Sequence, residues 1–292
     1  MAIYHLSIKT IGRTAGRTAT AAAAYRACEK ILCDRQGLTH DYTKKRGLVH
    51  SEIITSINVP VWAGNREMLW NKAEASETRK NSTVAREFEI ALPKELTKEQ
   101  RKTLAKDFTC ELVDKYGFAA DLCIHDDHKD NQNHHAHILC TTRALTLDGF
   151  TTKTRSLDEK TSGDVVYWRE RWAVLVNESL ERNGHTITID HRSLKEQGID
   201  REPTQHLGAA AVGYERRTGK ISDVRQRMQQ APIEKINDEN RLKEIEKEIL
   251  LKSREYFLET IGRLKMHDFD NTPKDLKERF EACLKWSLNG RF

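Results

Sequence analysis

The sequence predicts an α+β fold, an antiparallel β-sheet with packed helices, followed by a charged α-helical C-terminal region. Three observations carry this prediction. Segments with period-two alternation, such as AIYHLSIK near the start and VAREFEIALP at 84–93, read as strands. Phe118 to His125 (FAADLCIH) and the run AHILCTT ending at Thr142 are two more, and the polar DDHKDNQN between them folds them into an antiparallel pair. Longer segments with start and stop signals, around 97–115 and 164–183, read as helices.

Composition bounds the class. At 292 residues the chain can bury one large core or two smaller ones without disulfides. Charged residues make up 32% and hydrophobic residues 38%, which is polar yet globular. No apolar run approaches the ~20 residues of a membrane span, and the N-terminal MAIYHLSIKTIGRTAGR lacks a signal-peptide core, so a cytoplasmic protein is expected. The cysteines (Cys28, Cys33, Cys110, Cys123, Cys140, Cys283) form no CxxC pair and read as reduced, mostly buried thiols. A net charge of +5 and a pI near 8.8 favour a polyanionic partner.

After the first strand, GRTAGRT is loop chemistry, and the alanine-rich stretch from Ala19 to Ile31 is expected to be helical, with Thr18 or Thr20 near its N-terminus. Tyr25 lies in this helix beside Arg26, with Arg13 and Arg17 in the preceding loop. On position alone it reads as a core tyrosine packed on the sheet, although its alanine neighbours leave it accessible. The segment Gln36 to His50 reads as a loop or hairpin carrying Tyr42, Lys44, Lys45 and Arg46. Such a cluster is solvated surface in most proteins, and beside a nucleic-acid groove it contacts phosphates. Ser51 to Val59 is expected as a strand and Ala63 to Lys80 as a helix.

Within 84–93 the alternation puts Glu87 and Glu89 on one face and Phe88 and Ile90 on the other. Two readings stand: the wet face of an edge strand, or a carboxylate that orients a metal-bound histidine or accepts a proton. Thr97 and Gln100 form a capping box for a helix running to about Lys115, stopped by Gly117. Asp148-Gly149 signals a turn, and the helix from about Asp164 to Asn183 carries an apolar stripe of Trp168, Trp172, Leu175, Val176 and Leu180. HTITID after it reads as a short strand. From Ala209 the chain is helical and charged, and Pro232 to Phe292 is rich in Lys and Glu.

Five of the twelve histidines, His125, His128, His134, His135 and His137, crowd the hairpin. Strand alternation puts His135 and His137 on one face and His134 on the other, and the hairpin brings His125 beside the first two. Three neutral imidazoles on one face suit a divalent metal with open positions, a catalytic rather than a structural arrangement. His128 and His134 read as solvent-exposed or as supporting groups.

Four motifs in order then give the chain a family resemblance: AIYHLSIKT followed by the helix with Tyr25, REFEIALPKEL, IH…NHHAHIL, and LERNGH…IDHRSLKEQGI…HLG. Together they resemble the MobA/MobL family of conjugative relaxases, within the HUH endonuclease superfamily. The resemblance covers residues 1–215 and implies a relaxase domain there, with 216–292 as a helical extension. It implies nicking of one plasmid DNA strand at an origin of transfer, with Tyr25 as nucleophile and a 5′-phosphotyrosine product. It further implies His125, His135 and His137 as metal ligands, with His128 open as an alternative to His125. Glu87 and Glu89 match the acidic strand, which of the two acts being open.

Beside such a site Arg13, Arg17, Arg26, Lys44, Lys45 and Arg46 would contact DNA. By resemblance the metal is Mg²⁺ or Mn²⁺; imidazole also accepts Zn²⁺ and Ni²⁺. The implied partners are the single-stranded nick region with its adjacent hairpin, relaxosome accessory proteins and a type IV secretion coupling protein, in a bacterial cytoplasm. Two other readings are carried: a rolling-circle replication initiator of the same superfamily, and a non-enzymatic zinc-containing DNA-binding protein. No GxxxxGK[ST] is present, so a P-loop motor would be another protein.

Overall fold

The computed structural model describes residues 3–126, 133–200, 207–230, 240–252 and 255. Contacts divide the chain into two units, Met1–Ile199 and Asp200–Phe292. The expected boundary at 215 falls inside the second unit.

The first unit is built on an antiparallel sheet. Its strands are β1 (Leu6–Gly12), β4 (Leu48–Ile54), β5 (Thr83–Ala91), β6 (Phe118–His125) and β7 (His135–Thr146), in the spatial order β1-β5-β7-β6-β4. β8 (Gly149–Lys153) pairs with the far end of β7 through the Asp148-Gly149 turn. A separate hairpin joins β2 (Lys30–Cys33) and β3 (Leu38–Asp41). Strand alternation sorts the side chains. Phe88, Ile90, Leu122, Ile124, Ile138 and Cys140 point to one face. There they meet Phe108 and Leu112 of α3 (Lys98–Tyr116) and Trp168, Trp172 and Val176 of α4 (Asp164–Arg182). The Phe108 ring lies 5.5 Å from Trp168 and 5.0 Å from Trp172.

The opposite face is covered by α1 (Ala19–Ala27) and α2 (Arg66–Ala75), through Ala23, Ala24, Leu69 and Trp70 against Ala85, Ala119 and Leu139. Small residues on both sides let α1 lie close to the central strands. The N-terminus of α1 is tied down twice. The Thr18 hydroxyl caps its start, accepting from Ala21 N, and Glu74 of α2 accepts from Ala19 N at 2.6 Å.

Several expected boundaries move. The first helix stops at Ala27 rather than Ile31, because Cys28 adopts φ 54° and turns the chain into β2. Alanine propensity favours helix, but from Lys30 the alternation of Ile31 and Cys33 inward wins. The next strand occupies Leu48–Ile54 rather than Ser51–Val59, and α2 begins at Arg66, capped by Asn65, and ends at Ala75 rather than Lys80. HTITID forms no strand. The Asn177 side chain instead takes both backbone groups of Ile189, at 2.8 and 2.9 Å.

The second unit contains α5 (Ala209–Thr218), ended by Gly219 at φ 68°, and helical turns at 223–230 and 240–252. Glu215 of α5 accepts from Ser222 and Arg225. Much of the Lys/Glu-rich stretch from Pro232, with Cys283, lies outside the described residues, as does His128. No helix among the described residues is long and apolar enough to cross a membrane.

Candidate functional site

The antiparallel register of β6 and β7 sets His125 opposite His135 and Cys123 opposite His137. All three histidines therefore share the face on which α1 lies. Their ring centroids stand 5.7 Å (His125–His135), 5.4 Å (His125–His137) and 5.1 Å (His135–His137) apart.

Hydrogen bonds fix the tautomers of two of them. His135 Nδ1 faces the Asn133 carbonyl at 2.8 Å, and His137 Nδ1 faces Glu87 Oε1 at 2.6 Å. Both partners are acceptors, so Nδ1 carries a proton in each ring and leaves Nε2 as the nitrogen turned away from that partner. His125 Nε2 is buried with no hydrogen-bond partner. Burial holds His125 neutral, pushing its pKa from 6.5 down to about 3, with Lys45 and the other two histidines adding to the shift. Burial also lowers His135.

Two imidazoles held through Nδ1 beside a third, His125, with an orphaned buried Nε2 fit a metal by donor chemistry. Among the described residues no three donors are already drawn in to metal-holding geometry. Ligation therefore requires these rings to turn their Nε2 atoms onto one point.

Glu87 belongs to the same face and is not on a wet edge. β5 lies between β1 and β7, and Glu87 is 4% exposed. Burial opposes its charge, but hydrogen bonds from His137 and Arg26 prevail and hold its pKa down to about 2. Glu89 is half-buried and pairs with Lys9 on β1. Of the two carboxylates, Glu87 is the one that orients a histidine.

Tyr25 is not a core residue. It is 46% exposed, with Tyr42 edge-on to its ring at 5.2 Å and Lys45 Nζ 3.8 Å from its centroid. The next residue, Arg26, donates to Glu87 Oε1 at 2.5 Å and to Ala22 O. A chain of contacts thus runs from the tyrosine helix through Arg26 and Glu87 to His137.

The expected basic residues divide into two groups. Arg17, Lys44 and Arg46 are exposed. Arg13 has a different occupation, donating to the Glu74 carboxylate and to the backbone carbonyls of Glu74, Glu77 and Arg79. With 9% of its side chain exposed, it braces the loop before α1. Arg26 is likewise committed, to Glu87.

His134 is a second correction. It points to the other face as expected but is 5% exposed, paired with Asp126 at 2.6 Å. Sequence reasoning also missed Asp121. This buried carboxylate on β6 accepts from Arg66 at 2.8 and 3.0 Å and from Trp70 Nε1 at 3.0 Å, while Arg66 also holds Glu29, just past α1. The signal was available: Asp121 is the one charged residue inside FAADLCI and shares the alternation of His125.

A sheet with a histidine cluster on its central strands and an exposed tyrosine on the covering helix defines a class of site, and comparison with known proteins defines the family. The MobA/MobL family profile matches residues 17–217. The mobilization protein MobL of Acidithiobacillus ferridurans is 42% identical over 266 residues, covering 81% of this chain and 70% of that protein. The conjugal transfer protein TraA of Agrobacterium fabrum is 38% identical over 246 residues, 74% of this chain; the match spans 22% of TraA. A solved structure from work on the molecular basis of vancomycin resistance transfer in Staphylococcus aureus superposes with a TM-score of 0.60 at 34% identity. It covers 66% of this chain and 100% of that one. The chain belongs to the MobA/MobL family.

Proposed function

We propose that this chain is a DNA relaxase that nicks one strand at a plasmid origin of transfer and so begins mobilisation. One observation carries the reading: the Arg26–Glu87–His137 connection couples the helix bearing the half-exposed Tyr25 to the three-histidine face. The family and the names of its relatives, mobilization and conjugal transfer proteins, supply the biological setting.

In this reading Tyr25 Oη attacks the scissile phosphorus. The P–O bond to tyrosine forms as the P–O3′ bond breaks, the phenolic proton passes to solvent, and the departing 3′-oxygen takes up a proton. The 5′-phosphotyrosine keeps the phosphodiester energy, so a later 3′-hydroxyl can reverse the step. His125, His135 and His137 would hold a divalent cation, which supplies Lewis-acid charge against the non-bridging phosphate oxygens. Mg²⁺ or Mn²⁺ is the proposed ion. Glu87 keeps His137 in its Nδ1-protonated tautomer and does not serve as a base, since both its neighbours donate to it. Arg17, Lys44 and Arg46 line the approach for the DNA backbone. Relaxosome proteins and a secretion coupling protein are the proposed partners, in the bacterial cytoplasm.

Family membership favours a transfer origin over a replication origin as target. A structural zinc is disfavoured by the cysteines. Cys140 lies in the core on the other face, and the Cys123 thiol is engaged with Asp121 at 3.7 Å. The test is incubation with single-stranded oligonucleotides spanning candidate transfer origins, with and without Mn²⁺, read on a denaturing gel. A covalent adduct that requires metal and vanishes in Tyr25→Phe is the expected result. Tight DNA binding with no adduct from the wild type would reject the enzyme.

A further inference from the structure

The basic turn after β3 does not present its three cations alike. Lys44 and Arg46 are exposed and Lys45 between them is turned inward. Its ammonium lies 3.8 Å from the centroid of the Tyr25 ring and donates to the Tyr25 carbonyl at 3.1 Å. The turn that delivers it is fastened to the same helix: Lys45 N donates to Tyr42 O at 2.9 Å, and Tyr42 N donates to Glu29 O at 3.1 Å, just past the end of α1. The Tyr42 ring then meets the Tyr25 ring edge-on, at 5.2 Å and 88°.

Tyr25 is therefore bounded by a cation on one face and an aromatic neighbour at its edge. An exposed tyrosine on a helix otherwise exchanges rotamers on the ps–ns timescale. A cation over the ring and an edge-to-face partner each select one orientation. Attack at phosphorus is sensitive to that orientation, because displacing a reacting atom by about 1 Å costs on the order of a hundredfold in rate. For Lys45 to reach a DNA phosphate it would have to give up both the ring and the carbonyl. Its exposed neighbours face no such loss.

We propose that Lys45 is a positioning residue for Tyr25, fixing the orientation of the attacking ring rather than adding to DNA affinity. The proposal rests on the reading of Tyr25 as nucleophile, and the two fail separately.

The test separates binding from chemistry. Adduct formation is followed under single-turnover conditions with a saturating cleavable oligonucleotide, for wild type, Lys45→Met, Lys45→Arg and Lys44→Ala. Affinity and its salt dependence are measured in the Tyr25→Phe background, with and without Lys45→Met, so that cleavage does not intrude. Lys45→Met is expected to slow adduct formation about tenfold or more, with affinity and salt slope unchanged. Lys45→Arg, which keeps a cation able to stack on a ring and donate to a carbonyl, restores most of the rate.

Weaker binding with a salt slope smaller by about 0.7, and a wild-type rate at saturation, would make Lys45 one more phosphate contact and overturn the proposal. An unchanged rate with unchanged binding also overturns it. An adduct that survives Tyr25→Phe removes the nucleophile reading instead. Loss of the adduct in Tyr25→Phe beside a wild-type rate in Lys45→Met rejects the positioning role alone.

Discussion

Glu87 Oε1 receives two donors at once, Nδ1 of His137 at 2.6 Å and Nε of Arg26 at 2.5 Å. One oxygen thereby joins the helix bearing Tyr25 to a metal-ligand candidate. Glu87→Gln keeps the size and removes the charge. It leaves Arg26, 15% exposed, without its counter-ion and lets His137 choose either tautomer. The expected result is a metal affinity lower by about 10–100-fold, the range seen when such supporting carboxylates are lost. Glu89→Gln breaks an exposed pair with Lys9 and should change affinity little. Calorimetric titration with Mn²⁺ of the two variants distinguishes them; equal losses would mean that Glu87 has no special hold on His137.

The histidine hairpin was legible because strand period and loop length alone decide which imidazoles share a face. The capping box at Thr97 and Gln100 was legible for the same local reason, and both its hydrogen bonds are present. Glu87 could be placed on a face but not distinguished from Glu89, because their partners, Arg26 and His137 for Glu87 and Lys9 for Glu89, come from distant parts of the chain. Tyr25 reads as core from its position on a helix packed against the sheet, and the packing shows the alanines buried and the tyrosine left outside. Arg13 and Arg17 look equivalent in GRTAGRT, yet a partner sixty-one residues away, Glu74, claims only Arg13. Long-range ion pairs of this kind leave no local pattern. The end of the first helix at Cys28 was missed because a non-glycine residue at φ 54° carries no turn signature.

Three histidines on one face predict one bound ion per chain. Titration with Mn²⁺ should give a stoichiometry near one, with His135→Ala and His137→Ala each removing detectable binding. His134→Ala should leave it intact, since His134 points to the other face and pairs with Asp126. Chelation should abolish adduct formation, and added Mn²⁺ should restore it. Retention of binding in His137→Ala would place the ion elsewhere.

The basic residues should divide by function. Arg17→Ala, Lys44→Ala and Arg46→Ala should each weaken single-stranded DNA binding and reduce the salt slope by about 0.7, leaving the melting temperature near wild type. Arg13→Ala should do the reverse. It strips a buried carboxylate, Glu74, of its closest cation, at a cost of about 3 kcal/mol; Arg35 at 3.3 Å and Ala19 N remain as partners. That corresponds to a fall of roughly 2–4 °C per kcal/mol for a domain of this size. Thermal unfolding and salt-dependent binding of the four variants check the division, and an Arg13→Ala protein that is stable but loses DNA would refute it.

Acid should unfold the first unit by a route that includes His125. Its pKa is about 3 in the folded protein against 6.5 ordinarily, so between these values the unfolded chain binds a proton that the folded one refuses. The associated stability is fully present above pH 6.5 and is lost progressively as pH falls towards 3. Glu87 acts lower: with a folded pKa of about 2 against 4.5, its contribution is present above pH 4.5 and lost below it. Between pH 6.5 and 4.5, therefore, the slope comes from histidines, with His135 lowered in the same direction. Urea unfolding across that window, with chelator present, should show wild type losing stability as pH falls and His125→Gln losing distinctly less, because glutamine has no proton to take up. Parallel curves would mean that the buried neutral His125 does not govern acid sensitivity, and the slope would then have to be sought at His135.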